Sequence, residues 1–303
     1  MGVEGWTDLL DPTPDELSQH LPPEIHERAR AQLEQPARHE DEPRPKLESH
    51  GDYVFGVLLV AVSVPAEDTV YYQEVDLVLT RETLLTVRKT PKGRPPYDPT
   101  PAREACRHDD PTAKVVYHLV DDIAERYLDL IDQLDEEIDD LEDQVEDWPA
   151  ERIRARISAL RHDILHIRRT LAPTRDAVRA VVDNRVELEG EELFPHDVEL
   201  SFGDAYDKLL RAADGLELSR DLLAGVRDFH QSKIANDQNE VMKRLTAVAS
   251  ILLLPTFIVG LYGQNFLKIP EYRWGIWGYV WSWSLILGTT AFQVWYFRRK
   301  RWL

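Results

Sequence analysis

A stripe of small and weakly polar residues recurs near the C-terminus at steps of three and four. Its members are Asp228, Ser232, Ala235, Asn239, Met242, Thr246, Ala249, Leu253, Thr256, Gly260 and Gly263. These steps place all of them on one side of a helix. The stripe predicts either a seam for close helix packing or the lining of an ion pore, which needs polar rings and an apolar constriction.

Two side-chain amides, Gln264 and Asn265, follow the stripe directly, and Glu271 lies a few residues further on. Mg²⁺ gives up its water reluctantly and is usually held through its hydration shell. Neutral amide oxygens can accept hydrogen bonds from that shell without holding the ion too tightly to release it. The amides, together with Asn239 and Asp228 on the stripe, favour the pore. One helix cannot enclose a pore, so this interpretation requires a ring of identical chains.

Two uncharged apolar segments must position these residues. Leu245–Tyr262 and Gly275–Phe297 carry no Asp, Glu, Lys or Arg, and about eighteen residues is the minimum that crosses a hydrocarbon core of roughly 30 Å. Basic residues precede the first segment, and residues 298–303 form a basic tail after the second. Positive charge favours the cytoplasmic side, so both flanks are predicted inside and the loop 263–274 outside. Two spans of a lipid bilayer are therefore predicted, with a buried helical hairpin of a soluble protein as the alternative.

Composition excludes several classes of function. The chain of 303 residues has a formal net charge of −19, which opposes nucleic-acid binding because phosphate needs the opposite sign but suits the attraction of cations. Cys106 is the single cysteine, so neither a disulfide framework nor a cysteine-type zinc site is predicted. The acidic N-terminus lacks the apolar core of a signal peptide and is expected to stay in the cytoplasm. No GxxxxGK(S/T) motif occurs, so nothing indicates ATP-driven pumping.

The first part of the chain, residues 1–112, is predicted to be an α+β cytoplasmic domain. Tyr53–Val64, Val70–Thr80 and Glu82–Lys89 are rich in β-branched and aromatic residues, which predicts three strands. A turn with the sequence PAED joins the first two strands, and a short helix is predicted at Pro23–Leu33.

Long helices are predicted to follow. Within residues 113–190, apolar residues recur every three or four positions in two runs separated at Trp148-Pro149, which predicts an antiparallel, coiled-coil-like hairpin. Its first helix is dense in Asp and Glu, which either bind divalent cations diffusely or form a solvated face. A stalk helix is predicted for 191–244 and continues without interruption into the first span, 245–262, from which the chain returns through the second span, 275–297.

Several short motifs together resemble the CorA family of magnesium transporters. They are NEVMKRLT (Asn239–Thr246), LLPTFIVG in the first span, YGxNF (Tyr262–Phe266), IPE in the loop and the terminal RRKRWL. The resemblance implies a funnel-shaped homopentamer, with an α+β cytoplasmic domain, long coiled-coil-like helices and two transmembrane helices in each subunit. It implies a channel, not an enzyme, in the cell inner (plasma) membrane, with both termini cytoplasmic. The implied substrate is Mg²⁺, often with Co²⁺ or Ni²⁺, and no organic cofactor is implied.

The resemblance also implies roles for individual residues. The Gly-Met-Asn signature of the family falls on Gly263, Gln264 and Asn265. Asn265 would contact the hydrated ion at the outer mouth, and Glu271 would attract cations from the loop. The implied pathway further comprises the cytoplasmic mouth Asp228, the inner polar ring Asn239, the gate residues Met242, Leu245 and Leu253, the mid-pore ring Thr256, and the lining residues Thr246, Ala249 and Gly260.

Two departures from the family pattern bear on function. Gln264 replaces the central methionine of the signature; it has a similar length and adds hydrogen-bonding capacity, so transport with altered selectivity is expected. Asp204 matches a stalk aspartate that the resemblance implies for regulatory Mg²⁺, whereas Gln35 stands where the partner aspartate is expected. Regulation at that site is then either lost or served by other acids such as Glu40 or Asp41.

Two other functions remain open. A CorA-like transporter of Zn²⁺ or another transition metal would also suit Gln264. His162 and His166, four residues apart on a helix, could ligate such a metal or be ordinary surface histidines. A membrane-anchored metal sensor without conduction is the second alternative. It needs neither the polar stripe nor the amide-bearing loop, so both features count against it.

Overall fold

The computed structural model describes most of the chain. The described residues are 5–37, 42–64, 69–189, 193–264 and 270–303, without the side chain of Tyr272. They fall into two units, Met1–Arg227 and Asp228–Leu303, and helix α6 (His196–Tyr262) contributes to both. The predicted PAED turn and the acids Glu40 and Asp41 lie outside the described residues.

A five-stranded sheet forms the centre of the first unit. Its strands are β1 (Trp6–Leu10), β2 (Lys46–Ser49), β3 (Val54–Val64), β4 (Thr69–Leu79) and β5 (Leu84–Lys89). Their order in the sheet is β1-β5-β4-β3-β2, with β1 parallel to β5 and the other pairs antiparallel. The β3–β4 ladder runs in register from Val54 opposite Leu79 to Val64 opposite Thr69. The α+β class is confirmed.

Helices cover both faces of the sheet. The helices of the first unit are α1 (Pro14–Ser18), α2 (Glu27–Glu34), α3 (Thr100–Ala105), α4 (Thr112–Gln144), α5 (Ala150–Val182) and the first part of α6. Phe55 and Val57 of β3 pack with apolar residues of α1 and α2, whereas Leu58 and Val60 belong to the core that includes α4 and α5. A strand covered on both faces needs no polar side, which explains the nearly continuous apolar run of β3.

The predicted helical hairpin is confirmed in α4 and α5. The seam residues are all buried: Ile123, Tyr127, Leu130, Leu134, Ile138 and Leu141 in α4, and Val145, its C-cap. Pro149 is the N-cap of α5 and marks the predicted reversal of the chain. Arg156 pairs with Glu137 at 2.8 Å, as expected where a basic helix returns along an acidic one.

The first part of α6 packs along α4. Its buried residues Val198, Phe202, Ala205, Leu209, Ala212 and Leu216 recur at steps of four and three. Ser219 Oγ donates to Asp135 Oδ1 at 2.6 Å, and a Cβ added to Gly215 would lie 2.8 Å from Ile131 Cγ2. Glycine therefore permits the close approach of the two helices here. The 67 residues of α6 form one helix, as predicted.

Strands β1 and β2 are not predicted from the sequence. They have five and four residues, too few for a period of two to stand out. Each lies at an edge of the sheet and pairs with one neighbour, so its conformation comes from tertiary pairing more than from its own composition. The three predicted strands are confirmed, and the predicted helix at Pro23–Leu33 is confirmed as α2, which begins later, at Glu27.

Candidate ion pathway

The predicted stripe lies on the part of α6 that belongs to the second unit, and it is largely exposed. Asp228, Asn239, Met242, Thr246, Leu253, Thr256, Gly260 and Gly263 are exposed, and Ala249 is half-buried. Met242 and Leu253 of the stripe and the adjacent Leu245 are 58, 66 and 61 % exposed, respectively. Large exposed apolar side chains grouped on one helix mark a surface that contacts lipid or another protein.

A different side of α6 carries the packing within the chain. Ala247 and Ile258 are buried on that side, and Ile251 and Leu254 are half-buried. At 3.6 residues per turn, these positions lie roughly 100–160° around the helix from Leu253. The described residues of the chain therefore leave the stripe uncovered, which is what a pore lined by several copies of α6 requires.

The hydroxyl groups of the stripe present oxygen atoms outward. Thr246 Oγ1 donates to the Met242 carbonyl at 2.7 Å, and Thr256 Oγ1 donates to the Leu252 carbonyl at 2.7 Å. A hydroxyl has one hydrogen to donate and two lone pairs that accept. Because each hydrogen is used within the helix, the oxygen remains an acceptor for the water of a hydrated cation.

The predicted outer mouth is described in part. The Gly263 amide donates to the Val259 carbonyl at 2.9 Å, and Gly263 and Gln264 are both exposed. Asn265 lies outside the described residues. Glu271 is half-buried in a 3-10 helix, Pro270–Trp274. The amide ring at Asn265 therefore stays a prediction.

Two glycines hold the loop against the next helix, α7 (Ile276–Arg299). Gly275 is the N-cap of α7 with φ 58° and ψ −128°, a conformation that essentially only glycine adopts. A Cβ added to Gly278 would lie 2.4 Å from the Glu271 carbonyl oxygen. Neither residue is predicted from the sequence as part of the site. Two glycines three residues apart at the start of an aromatic segment are the signal that could have indicated them.

The position predicted for regulatory Mg²⁺ lies in the first unit. Asp204 is exposed on α6, and one turn later Lys208 Nζ donates to Asp121 Oδ1 at 2.7 Å and also to Glu125. Partial burial of Lys208 disfavours its charge, but these two hydrogen bonds outweigh that effect and raise its pKa. Gln35 is the C-cap of α2. Within the described ranges, no three His, Cys, Asp or Glu residues are grouped to hold a metal ion.

The histidine pair on α5 takes part in contacts within the first unit. His166 Nε2 lies 3.2 Å from Glu42 Oε2, and its ring meets Tyr72 edge to face at 4.8 Å between centroids. The His162 and His166 rings are 6.2 Å apart. His166 is thus engaged by a carboxylate and an aromatic ring of its own chain.

One helix in the described part of the chain, α6, is long and apolar enough to cross a membrane. Only 11 % of its most apolar stretch is buried within the chain. Helix α7 exposes large apolar side chains such as Trp277 and Phe292, but its tryptophans, serines and Gln293 lower its mean hydropathy. The second span remains a prediction from the sequence.

The chain resembles known proteins along nearly its whole length. A family model described as CorA-like Mg²⁺ transporter protein matches residues 5–299. The cobalt/magnesium transport protein CorA of Thermotoga maritima is 32 % identical over 86 % of this chain and 73 % of its own.

Two further relatives agree with this match. The divalent cation transporter CmaX of Pseudomonas aeruginosa is 29 % identical over 66 % of this chain and 59 % of its own. The complete structure of the CorA magnesium transporter from Methanocaldococcus jannaschii has the same fold, with a TM-score of 0.76 at 20 % identity over 98 % of this chain and 91 % of that one. The chain therefore belongs to the CorA-like family of Mg²⁺ transporters.

Proposed function

We propose that this protein is a homopentameric channel that conducts Mg²⁺ into the cell, with Co²⁺ and Ni²⁺ as further substrates. Five copies of the stripe on α6 would line the pore. Five copies of Asn265 would form a ring of amide oxygens at its outer mouth, beside Gly263 and Gln264. Glu271 would attract cations to this mouth, and Asp228 would lie at the cytoplasmic end.

The observation that carries this proposal is the uncovered stripe itself. It combines exposed apolar residues, Met242 and Leu253, with threonine oxygens whose hydrogens are used within the helix. An apolar ring can close a pore by excluding water, and acceptor oxygens can hold a hydrated cation between such rings. A purely structural anchor in the membrane needs neither feature.

The direction of transport follows from charge. Basic residues lie on both flanks of the membrane segments, and the loop between them has few, so we place both termini in the cytoplasm and the loop outside the inner membrane. An inside-negative potential of 100 mV then favours entry of a divalent cation by about 4.6 kcal/mol, twice the single-charge value. Uptake needs no coupled energy source.

Regulation by intracellular Mg²⁺ is proposed to be weak in this protein. Asp204 is exposed and available on α6, but Gln35 is a neutral amide and a weaker ligand than a carboxylate for a hard cation. We therefore expect Mg²⁺ to bind weakly at this position and to inhibit uptake only at high cytoplasmic concentration.

Ion flux into proteoliposomes tests the proposed function. Purified protein with an internal fluorescent indicator should admit Mg²⁺ when an inside-negative potential is imposed, and Co²⁺ and Ni²⁺ should compete with it. Entry of Zn²⁺ without Mg²⁺ would instead identify the protein as a transition-metal transporter. Absence of flux for all four ions, in pentamers of verified integrity, would favour a membrane-anchored sensor.

Gly278→Ala is expected to reduce Mg²⁺ uptake about threefold or more. Its Cβ would overlap the Glu271 carbonyl, and relieving such a clash costs about 1–3 kcal/mol or displaces the loop. Gly288→Ala on the same helix is the matched control, because outside the adjacent helical backbone a Cβ there would meet no heavy atom of the described residues within 4 Å. Uptake rates at equal amounts of reconstituted protein compare the two variants, and equal rates would contradict the proposed role of Gly278.

A further inference from the structure

Gln293 is the only side-chain amide in the predicted second span, Gly275–Phe297. Its Nε2 donates to the carbonyl oxygen of Ser250 on α6 at 3.2 Å. Lipid offers no hydrogen bonds, so polar side chains within a span face other helices and hold them together. This bond joins α7 directly to the helix that carries the stripe.

The bond meets α6 beside an interruption in its own hydrogen bonding. Pro255 lies inside the helix and has no N–H to donate to the Ile251 carbonyl. Ser250 immediately precedes Ile251, and helices bend most readily at such proline sites. A contact at Ser250 therefore acts beside the point at which the two halves of α6 are least rigidly joined by the hydrogen bonds of the helix.

Rotation at this point changes which residues the stripe presents. Ala249, a member of the stripe, directly precedes Ser250, and Leu253, the next member of the stripe, is 66 % exposed. Ile251 lies roughly 160° around the helix from Leu253, on the half-buried side of α6. A rotation of α6 by one residue step, about 100°, would bring Leu252 to the direction that Leu253 now occupies and would turn Leu253 toward the half-buried side.

We propose that Gln293 is a positioning residue that fixes the rotation of α6 and so directs Leu253 into the ion pathway. This proposal rests on the proposed function, because it takes Leu253 to line the ion pathway. Gln293 Oε1 and Thr290 Oγ1, one turn earlier on α7, are buried and have no hydrogen-bond partner among the described residues. Of the polar groups of Gln293 and Thr290, only the amide donor of Gln293 forms a hydrogen bond to α6 within the described residues.

Cysteine accessibility tests the proposal without requiring transport. In a Cys106→Ser background, Leu253→Cys and Ile251→Cys are made separately in the full chain and reacted with a charged thiol reagent. With Gln293 present, Leu253→Cys should react much faster than Ile251→Cys. Gln293→Met, which keeps the length of the side chain but removes the donor, should reduce this ratio about threefold, the factor typical of one side-chain hydrogen bond between membrane helices.

Thr290→Val is the matched control on the same face of α7. It removes a buried hydroxyl of the cluster that makes no hydrogen bond to α6, so the accessibility ratio should stay unchanged. Maximal Mg²⁺ flux should fall in Gln293→Met while the concentration for half-maximal flux stays constant, because the outer mouth is untouched. A general loss of packing would affect both variants alike.

Each outcome decides between the proposals. An unchanged accessibility ratio in correctly assembled Gln293→Met overturns the positioning role of Gln293. Equal reactivity of the two cysteines with Gln293 present overturns the pore-lining assignment of Leu253, and the positioning role with it. Lack of ion flux in the native chain overturns the proposed function, whereas the role of Gln293 in fixing the rotation of α6 is still decided by the accessibility ratio.

Discussion

Replacing Asn265 by alanine is expected to abolish Mg²⁺ uptake while leaving the pentamer assembled. In the proposed channel, one substitution removes five amide groups from the ring that accepts hydrogen bonds from the hydrated ion. A hydrogen bond to a charged partner contributes about 1.5–3 kcal/mol, so losing even two of them would lower the flux at least about 100-fold. Proteoliposome flux measures the loss, and light scattering of the purified protein measures assembly.

Gln264→Met is the matched control for this prediction. It alters the neighbouring residue to the methionine that the family signature carries there, without removing the ring of Asn265. Mg²⁺ flux should remain within about threefold of the native chain, the effect of one modest hydrogen bond, while the preference among Mg²⁺, Co²⁺ and Zn²⁺ changes. Normal Mg²⁺ flux in Asn265→Ala would contradict the assignment of the outer mouth.

The long helices are predictable from the sequence because their apolar spacing continues over many turns. From Ile123 to Val145 the steps of three and four persist, and every seam residue is buried as expected. The same period is enough, by spacing alone, to place the stripe of α6 on one side of its helix. Long amphipathic patterns specify their own secondary structure and the face that packs.

Contacts between distant residues are not predictable in this way. The bond from Gln293 to Ser250 depends on how two helices lie beside each other. Spacing along one helix holds no information about that arrangement. Gln293 is conspicuous in an apolar segment, but its partner is a backbone carbonyl, which has no signature in the sequence.

A buried charge cluster in the sheet is likewise invisible to pattern analysis. Lys89 of β5 pairs with Glu74 at 2.6 Å and with Asp76 at 2.7 Å, and all three side chains are at most 5 % exposed. Lys89 Nζ also donates to the Gln32 carbonyl of α2 at 2.8 Å, and Gln32 Nε2 donates to Glu74 at 3.1 Å. The cluster therefore fastens α2, whose C-cap is Gln35, to the sheet.

Lys89→Met is expected to destabilise the first unit by about 3–5 kcal/mol, the usual cost of leaving a buried ion pair without one partner. Thermal unfolding of the full chain in detergent, followed by circular dichroism, should shift downward by about 10 °C. Lys46→Met is the matched control, because Lys46 pairs with Glu48 at the same 2.6 Å but is 37 % exposed. Exposed pairs contribute about 0–1 kcal/mol, so equal shifts for the two variants would contradict this account.

The pH dependence of unfolding shows whether Lys89→Met destabilises the protein through the lost positive charge or through lost packing. Burial raises the pKa of Asp76 from 3.8 to about 8, although Lys89 opposes this. Between these values Asp76 holds a proton in the folded chain that it has released in the unfolded chain, so the contribution of Asp76 to stability falls as pH rises from about 4 to about 8. Asp76→Asn should flatten this decline.

In Lys89→Met, the loss of the cation raises the pKa of Asp76 further, so the decline should continue above pH 8. Adding Glu74→Gln and Asp76→Asn to Lys89→Met should recover at least half of the lost stability, because a neutral cluster leaves no charge uncompensated. If the triple variant unfolds as early as Lys89→Met alone, the lysine contributes through packing and not through its charge.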